Sequence, residues 1–243
     1  MYQFFVEPSQ IQGNRIVITG SDVNHIKNVL RMKPGEEIAV SNGTDGKEYR
    51  CGIEELLEEE IICTLRFIKE DGLELPARVT FFQGLPKADK MEFIVQKAVE
   101  LGVSRIVPYL SKNCVSRPDK TEKKVERWRK IAAEAAKQCG RGRLPEVAAV
   151  VPVAQAIAQA AESETALFFY ENERRTGLHD ALAGGVRDTV SLMVGPEGGF
   201  DPAEAKAAVD AGLQSVSLGT RILRCETAPI AALAAVLYAG GNM

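Results

Sequence analysis

Two glycine-rich loops, each joining an apolar run to a helix-like segment, constrain the fold of this chain most. The first loop starts at Gly195 and follows the apolar residues 190–194. The second starts at Gly219, follows the apolar residues 216–218, and leads through a charged segment to an alanine-rich stretch beginning at Thr227. Because a helix start presents free backbone N–H groups, two such loops at strand ends are typical of a crevice for a nucleotide-like ligand.

Both loops lie in a region where strand-like and helix-like patterns alternate from residue 78 onwards. We predict strands at residues 79–83, 106–110, 166–170, 190–194 and 215–218, and helices at residues 87–101, 122–139, 153–161, 202–211 and 227–237. Asp201, Pro202 and Glu204 support one helix start, as its N-cap and its first and third residues. Alternation of this kind predicts an α/β domain with a mostly parallel sheet and helices on both faces.

The N-terminal part of the chain has a different pattern, with short segments rich in β-branched and aromatic residues. We predict strands at residues 4–6, 15–19, 37–40, 48–53 and 61–68, and one helix at residues 22–30. Residues 69–76 are polar, contain Gly and Pro, and are typical of a linker. The sequence therefore predicts a small β-rich domain at residues 1–72 and a larger α/β domain at residues 73–243.

Composition excludes several classes of protein. The 243 residues carry a formal net charge of −3, so a nucleic-acid site would have to come from a local basic patch. The five cysteines form no Cys-x-x-Cys pair, so we expect reduced thiols and no metal. The signatures of dinucleotide-binding, P-loop and serine hydrolase enzymes are absent. We find no signal peptide and no membrane-length apolar run, and therefore expect a cytoplasmic protein.

One window of the chain concentrates positive charge. Residues 112–143 contain 11 Lys and Arg against 4 Asp and Glu, whereas residues 1–72 contain 8 against 13. The window ends in Gly-Arg-Gly-Arg at residues 140–143, and guanidinium groups on a flexible backbone suit RNA phosphates. A solvated helix face is the alternative for the lysines of this window. The RNA-binding candidates in the window are Arg117, Arg127, Arg141 and Arg143.

The two glycine-rich loops closely resemble the RsmE family of the SPOUT superfamily. The residues that carry the resemblance are 195–200, Gly-Pro-Glu-Gly-Gly-Phe, and 218–228, Leu-Gly-Thr-Arg-Ile-Leu-Arg-Cys-Glu-Thr-Ala. Enzymes of that family methylate N3 of a uridine in bacterial 16S ribosomal RNA. The resemblance covers essentially the whole chain. It implies a PUA-like β-barrel at the N-terminus, a C-terminal trefoil knot, a homodimer, and S-adenosylmethionine as the cofactor.

The resemblance places the cofactor between the two loops. Leu218, Ile222 and Leu223 would form apolar walls, while glycine would let the backbone approach a flat ring. Phe169 or Tyr170, at the end of a neighbouring predicted strand, would add to the pocket or pack in the core. The predicted cofactor-binding residues are Tyr170, Gly195, Pro196, Glu197, Gly199, Leu218, Gly219, Ile222, Leu223, Thr227 and Ala228.

Two arginines and two glutamates in these loops are the predicted catalytic residues, Arg221, Arg224, Glu197 and Glu226. Methylation at N3 of uracil requires removal of a weakly acidic proton and leaves negative charge on O2, N3 and O4. A guanidinium group would stabilise that charge. Either glutamate would accept the proton, or each would instead pair with an arginine and orient it. Nitrogen attack on a methyl group needs no covalent enzyme adduct, so Cys225 has no predicted role.

The resemblance adds RNA contacts outside the basic window, at His25, Arg31, Lys87 and Lys90. The family usually has an arginine just before its Phe-Phe pair, and this chain has Gln3 at that position. Residues 87–92 match the family pattern too and would close over the cofactor or the substrate, with a charged first helical turn as the alternative role. The implied partners are 16S ribosomal RNA or the 30S subunit, with no membrane.

Two other functions stay open. A related methyltransferase would modify another base or a ribose 2′-hydroxyl. A non-catalytic RNA-binding protein of ribosome assembly would keep the scaffold without the reaction. The intact cofactor-type loops favour an enzyme.

Overall fold

The structure, a computed structural model, describes residues 1–70, 72, 74–115, 121–241 and 243. The chain divides into two compact units. The first unit comprises Met1–Glu74 and Ala136–Leu144, and the second comprises Leu75–Ala135 and Pro145–Met243. The end of the basic window therefore belongs to the first unit, which the sequence does not reveal.

The first unit is built on a curled sheet that has six strands among the described residues. The strands are β1 (Gln3–Phe5), β2 (Ile11–Gln12), β3 (Arg15–Thr19), β4 (Glu37–Ser41), β5 (Glu48–Leu56) and β6 (Glu60–Lys69). Their order is β1-β4-β5-β6-β3-β2, and every neighbouring pair is antiparallel except β1 with β4. Ile16, Ile38 and Ile61 are fully buried in its apolar core. The helix α1 (Ser21–Asn24) continues as a π-helical turn over His25–Val29.

A buried ion pair ties the segment Ala136–Leu144 into the first unit. Arg141 is 5% exposed, and its Nη2 lies 2.6 Å from Oε2 of Glu74. The backbone N–H of Arg143 donates to the same carboxylate at 2.9 Å, and the Gln3 side chain donates to the carbonyl of Arg141 at 2.6 Å. This burial corrects the predicted RNA contact at Arg141, because its guanidinium neutralises Glu74 instead of facing solvent.

The second unit has a parallel sheet, with seven strands among the described residues. Its strands are β7 (Arg78–Gly84), β8 (Arg105–Leu110), β9 (Glu146–Val147), β10 (Val151–Pro152), β11 (Thr165–Phe169), β12 (Thr189–Val194) and β13 (Gln214–Val216). Its helices are α2 (Lys90–Glu100), α3 (Thr121–Cys139, whose last four residues belong to the first unit), α4 (Val153–Ala160), α5 (Leu178–Ala181), α6 (Pro202–Asp210) and α7 (Thr227–Ala239). The predicted alternation is confirmed, although the sequence missed β9, β10 and the short helix α5.

The strand order of the second unit brings several loops to one edge of the sheet. The order is β10-β8-β7-β12-β11-β13, and β9 also pairs with β8. Because the strands are parallel, β12, β11 and β13 end side by side, with Phe169 opposite both Val194 and Val216. The helix α7 packs against α2 and β12, so the start of α7 also lies near this edge. Ligands of open parallel sheets bind at such carboxyl ends.

Gly142 offers a test of the packing in the first unit. A Cβ atom at this position would lie 2.5 Å from the backbone of Gly46, which cannot move aside as a side chain would. We expect Gly142→Ala to lower the free energy of unfolding by about 1–3 kcal/mol through overpacking. Gly184→Ala is the control, because its Cβ would meet nothing within 4 Å. Urea denaturation followed by circular dichroism measures both, and equal stabilities of the two variants would contradict the expectation.

Candidate functional site

A cavity of about 480 Å³ lies at the carboxyl edge of the parallel sheet. It is lined by the loops that follow β11, β12 and β13, and by the first residue of α2. Both glycine-rich loops therefore line the same cavity. All of the predicted cofactor-binding residues line it except Thr227, which begins α7. Of the predicted catalytic residues, Arg221, Arg224 and Glu197 line the cavity, and Glu226 contacts a lining residue, Lys90.

Two charged lining residues, Glu171 and Arg174, were missed by sequence reasoning. Both belong to the loop after β11, which the sequence marked only by the aromatic residues 169 and 170. Glu173 organises this loop, because its carboxylate accepts the backbone N–H groups of Arg174 and Arg175 at 2.9 and 2.7 Å. Those hydrogen bonds, led by the one from Arg175, lower the pKa of Glu173. The sequence signal that could have found them is their position directly after the end of β11, the strand that pairs with both β12 and β13.

The loop after β12 is fixed by contacts within the protein. Gly199 has φ +64°, and a Cβ there would collide with the carboxylate of Glu171. The same carboxylate accepts the backbone N–H of Phe200 at 3.1 Å. The Phe200 ring is buried against Phe168, with ring centroids 4.4 Å apart. The fold itself therefore favours glycine at position 199, so a tight strand-to-helix connection accounts for part of the motif.

The loop after β8 contacts both the loop after β12 and the start of α6. Asn113 donates its side-chain N–H to the carbonyl of Gly198 at 3.1 Å. Lys112 Nζ lies 2.5 Å from the Asp201 carboxylate, which caps α6 by accepting the N–H of Ala203. Lys112 lowers the pKa of Asp201, so this carboxylate stays charged at the positive end of the helix. The predicted capping at Asp201 is confirmed.

The loop after β13 pairs with the loop after β11 before it turns into α7. Ser217 donates its backbone N–H to Thr176 at 2.9 Å and accepts the N–H of Leu178 at 3.1 Å. The carbonyl of Arg224 accepts the N–H groups of residues 227 and 228, both at 2.9 Å, which closes a turn into the helix. Ile222, predicted as an apolar wall, lines the cavity but is 71% exposed. It therefore stands at the rim of the cavity.

The two predicted glutamates share one lysine. Lys90 Nζ lies 3.1 Å from Glu197 Oε1 and 3.1 Å from Glu226 Oε2. Burial raises the pKa of Glu197, but the N–H groups of Glu197 and Lys87 and the Lys90 ammonium together bring it below its usual value. Burial also raises the pKa of Glu226, but the Lys90 ammonium, the Glu226 N–H and the Cys225 thiol together bring it below its usual value. Both carboxylates are therefore ionised near neutral pH, and they pair with a lysine instead of the arginine that one of the two alternatives suggested.

Cys225 lies between these groups and lines the cavity. Its Sγ is 3.3 Å from Glu226 Oε2 and 3.7 Å from Lys90 Nζ. Burial raises the pKa of the Cys225 thiol to about 12, and the two neighbouring carboxylates act in the same direction. The thiol is therefore neutral across the physiological range of pH.

The predicted RNA-binding residues of the first unit differ in accessibility. His25 is exposed and meets the ring of Phe4 edge-on, with centroids 6.2 Å apart. Arg31 is exposed and has φ +54°, and Arg143 is also exposed. These three residues can reach a phosphate, whereas the buried Arg141 cannot.

The predicted RNA-binding residues of the second unit also fall into distinct groups. Lys87 is exposed. Arg127 is exposed and pairs with Glu92 at 2.8 Å. Lys90 is half-buried in its two ion pairs. Arg117 lies outside the described residues.

Among the described residues, no three His, Cys, Asp or Glu side chains are grouped so that they could hold a metal ion. None of the helices in the described part of the chain has the length and apolar character to cross a membrane.

Two family models match the chain. An RNA methyltransferase domain matches residues 73–237, and an RNA methyltransferase PUA domain matches residues 18–66. The first match contains every loop that lines the cavity. The second lies within the first structural unit.

Full-length relatives agree with these matches. The chain is 35% identical to ribosomal RNA small subunit methyltransferase E of Bacillus subtilis strain 168, over 98% of this chain and 96% of the relative. It is 32% identical to the protein of the same name from Synechocystis, over 97% and 77% respectively. A crystal structure of ribosomal RNA small subunit methyltransferase E from Neisseria gonorrhoeae, bound to S-adenosyl methionine, superposes with a TM-score of 0.87. The two chains share 32% identity over 98% of this chain and 97% of that one.

The chemistry of Cys225 can be tested by alkylation. An ordinary thiol is about half ionised at pH 8.5, but the raised pKa keeps Cys225 protonated and unreactive there. We expect iodoacetamide at pH 8.5 to label the exposed Cys139 readily and Cys225 at least about tenfold more slowly. Peptide mass spectrometry over a time course measures both rates. Labelling of Cys225 as fast as Cys139 would contradict the assigned environment.

Proposed function

The chain belongs to the family of ribosomal RNA small subunit methyltransferase E, or RsmE, and we propose that it methylates N3 of a uridine in 16S ribosomal RNA with S-adenosylmethionine as methyl donor. The single observation that carries the proposal is the cavity in which both family loops meet. Relatives named for this activity match over nearly the whole chain, so both the RNA-methyltransferase domain and the PUA domain are present.

The cavity suits the proposed cofactor. Its volume of about 480 Å³ lies in the range of small-molecule sites. Leu218, Leu223 and Val194 offer apolar surface, and Gly195 and Gly219 offer accessible backbone for the edge of an adenine ring. When bound, S-adenosylmethionine supplies a methyl group activated by a positively charged sulfur.

Arg221 and Arg224 are the residues we assign to the uracil. Both are exposed, both line the cavity, and they flank the rim residue Ile222. A guanidinium group directed at a carbonyl oxygen of the base stabilises the negative charge that forms when N3 loses its proton. Electrostatic stabilisation of this kind also makes N3 more acidic within the site.

Glu197 and Glu226 are better suited to orienting the site than to accepting the proton. Their lowered pKa values make both carboxylates weaker bases than an ordinary glutamate. Each is held by Lys90, and only Glu197 lines the cavity. We therefore assign them to the architecture of the loops.

The remaining parts of the proposal concern the larger assembly. We propose that residues 1–72 form a PUA-like barrel that grips RNA, and that residues 73–243 form a SPOUT domain with a C-terminal trefoil knot. The pairing of Ser217 with Thr176 and Leu178, followed by the return of the chain to α7, supports the knot. Exposed apolar side chains on α2 and α7, Phe93 and Tyr238, support a homodimer. The cytoplasm is where such an enzyme meets the ribosomal subunit.

The activity itself is testable on ribosomal subunits. The protein is incubated with labelled S-adenosylmethionine and 30S subunits from a strain that lacks the modification. We expect label in 16S RNA that digests to 3-methyluridine, identified by mass spectrometry of the nucleosides. Label in another base or in a 2′-O-methylated ribose would favour a related methyltransferase. No label, together with no calorimetric binding of S-adenosylhomocysteine, would favour a non-catalytic RNA-binding protein.

The role assigned to Arg224 predicts a separation of binding from turnover. We expect Arg224→Ala to lower kcat by about 10²–10³-fold, because it removes a donor aimed at developing charge, while cofactor affinity changes little. Arg187→Ala, at an exposed arginine that does not line the cavity, serves as the control and should keep normal turnover. Calorimetry gives the affinity and single-turnover methylation gives the rate. A loss of cofactor affinity with normal turnover would refute the role.

A further inference from the structure

We propose that Lys90 is a positioning residue whose ammonium group bridges the carboxylates of Glu197 and Glu226 and so holds the two cavity-lining loops together. The proposal rests on the proposed cofactor site. It replaces the RNA contact that the sequence suggested for this lysine.

The bridge joins three separate elements. Lys90 is the first residue of α2, Glu197 belongs to the loop after β12, and Glu226 directly precedes α7. Both nitrogen–oxygen distances are 3.1 Å, within the range of a direct ion pair with ordinary N–H···O hydrogen-bond geometry. Packing of α7 against α2 brings the starts of the two helices together, which makes the bridge possible.

Charge balance explains why the bridge matters for the cavity. The side chains of Lys90, Glu197 and Glu226 are 33%, 24% and 21% exposed, so water screens them incompletely. Two carboxylates on one ammonium give the cluster a net charge of about −1. Without the lysine the cluster would hold two unneutralised negative charges on two different loops. Their repulsion would drive the loops apart.

The backbone before α2 also binds the carboxylate of Glu197. The N–H of Lys87 donates to Glu197 Oε1 at 3.0 Å. Between Lys87 and Lys90, Ala88 has φ +52°, in the left-handed region that residues with a Cβ seldom adopt. This turn presents a backbone donor and an ammonium donor to Glu197 together. A strained residue kept at such a place is typical of a functional site.

The ion pairs also leave Lys90 poorly suited to bind a phosphate directly. Its ammonium already contacts two carboxylates, and its pKa is raised by Glu226 and Glu197. An RNA phosphate would have to displace at least one of them. Lys87, three residues earlier in the chain, is exposed and stays available as an RNA contact.

The test measures cofactor binding without RNA. S-adenosylhomocysteine is the probe, because its uncharged sulfur does not respond directly to the removed lysine charge. We expect Lys90→Met to weaken its calorimetric Kd by about tenfold. Lys97→Met is the matched control, since Lys97 lies on the same helix with the same 33% side-chain exposure but pairs with Glu100. Its Kd should stay within about twofold of wild type.

A rescue variant separates charge balance from packing. The double variant Lys90→Met with Glu226→Gln restores the wild-type charge of the cluster but not the bridge, so we expect it to recover part of the lost affinity and to bind about as well as Glu226→Gln alone. A side chain needed only for packing predicts no recovery, so a double variant as weak as Lys90→Met would overturn the proposal. Equal affinities of Lys90→Met and Lys97→Met would also overturn it.

Two further measurements keep the outcomes distinct. Wild-type protein that does not bind S-adenosylhomocysteine would count against the proposed function itself. Thermal unfolding shows whether each variant is folded. Should Lys90→Met fail to fold, Glu226→Gln alone removes one of the two ion pairs, and we then expect Kd to rise about threefold or more. Unchanged affinity in that variant would overturn the bridge.

Discussion

The parallel pairing of β12, β11 and β13 determines where the three cavity-lining loops of the second unit lie. The three strands end side by side, so the loops that follow them open into one shared volume. Each loop comes from a different part of the sequence, and none of them forms the cavity alone. Contacts between neighbouring loops then set the spacing, through the Glu171 carboxylate at Phe200 and the backbone pairing of Ser217 with Thr176. The site is thus a property of the strand order and not of one motif.

Two kinds of force hold these loops. The loop after β12 is held by close packing around Phe200 and by a hydrogen bond from Asn113, both of which tolerate little change in shape. The approach of the loop after β12 to the start of α7 depends instead on charge, through Lys90 and its two glutamates. Such ion pairs act over a longer range than close packing does, and they depend less on precise geometry. They are suited to a boundary that must admit and release a ligand.

Local patterns were sufficient to predict most of the fold but only part of the site. The strand–helix alternation and the capping at Asp201 depend on neighbouring residues, so the sequence shows them directly. Glu171 was missed because nothing in a strand's own sequence says which polar residue after it faces a cavity. Arg141 was misassigned because its partner, Glu74, is distant in sequence and only tertiary structure makes the pair. The ion pairs of Lys90 with Glu197 and Glu226 also join residues that are distant in sequence, so local patterns do not reveal them.

The neutral state of Cys225 has a consequence for the fidelity of the reaction. A thiolate is a far better nucleophile than a thiol, and this sulfur lines the cavity proposed to hold an activated methyl group. Burial and the two adjacent carboxylates keep the proton on the sulfur. In the proposed reaction, the activated methyl group would therefore face a neutral thiol at this wall of the cavity, which is a much weaker nucleophile than a thiolate.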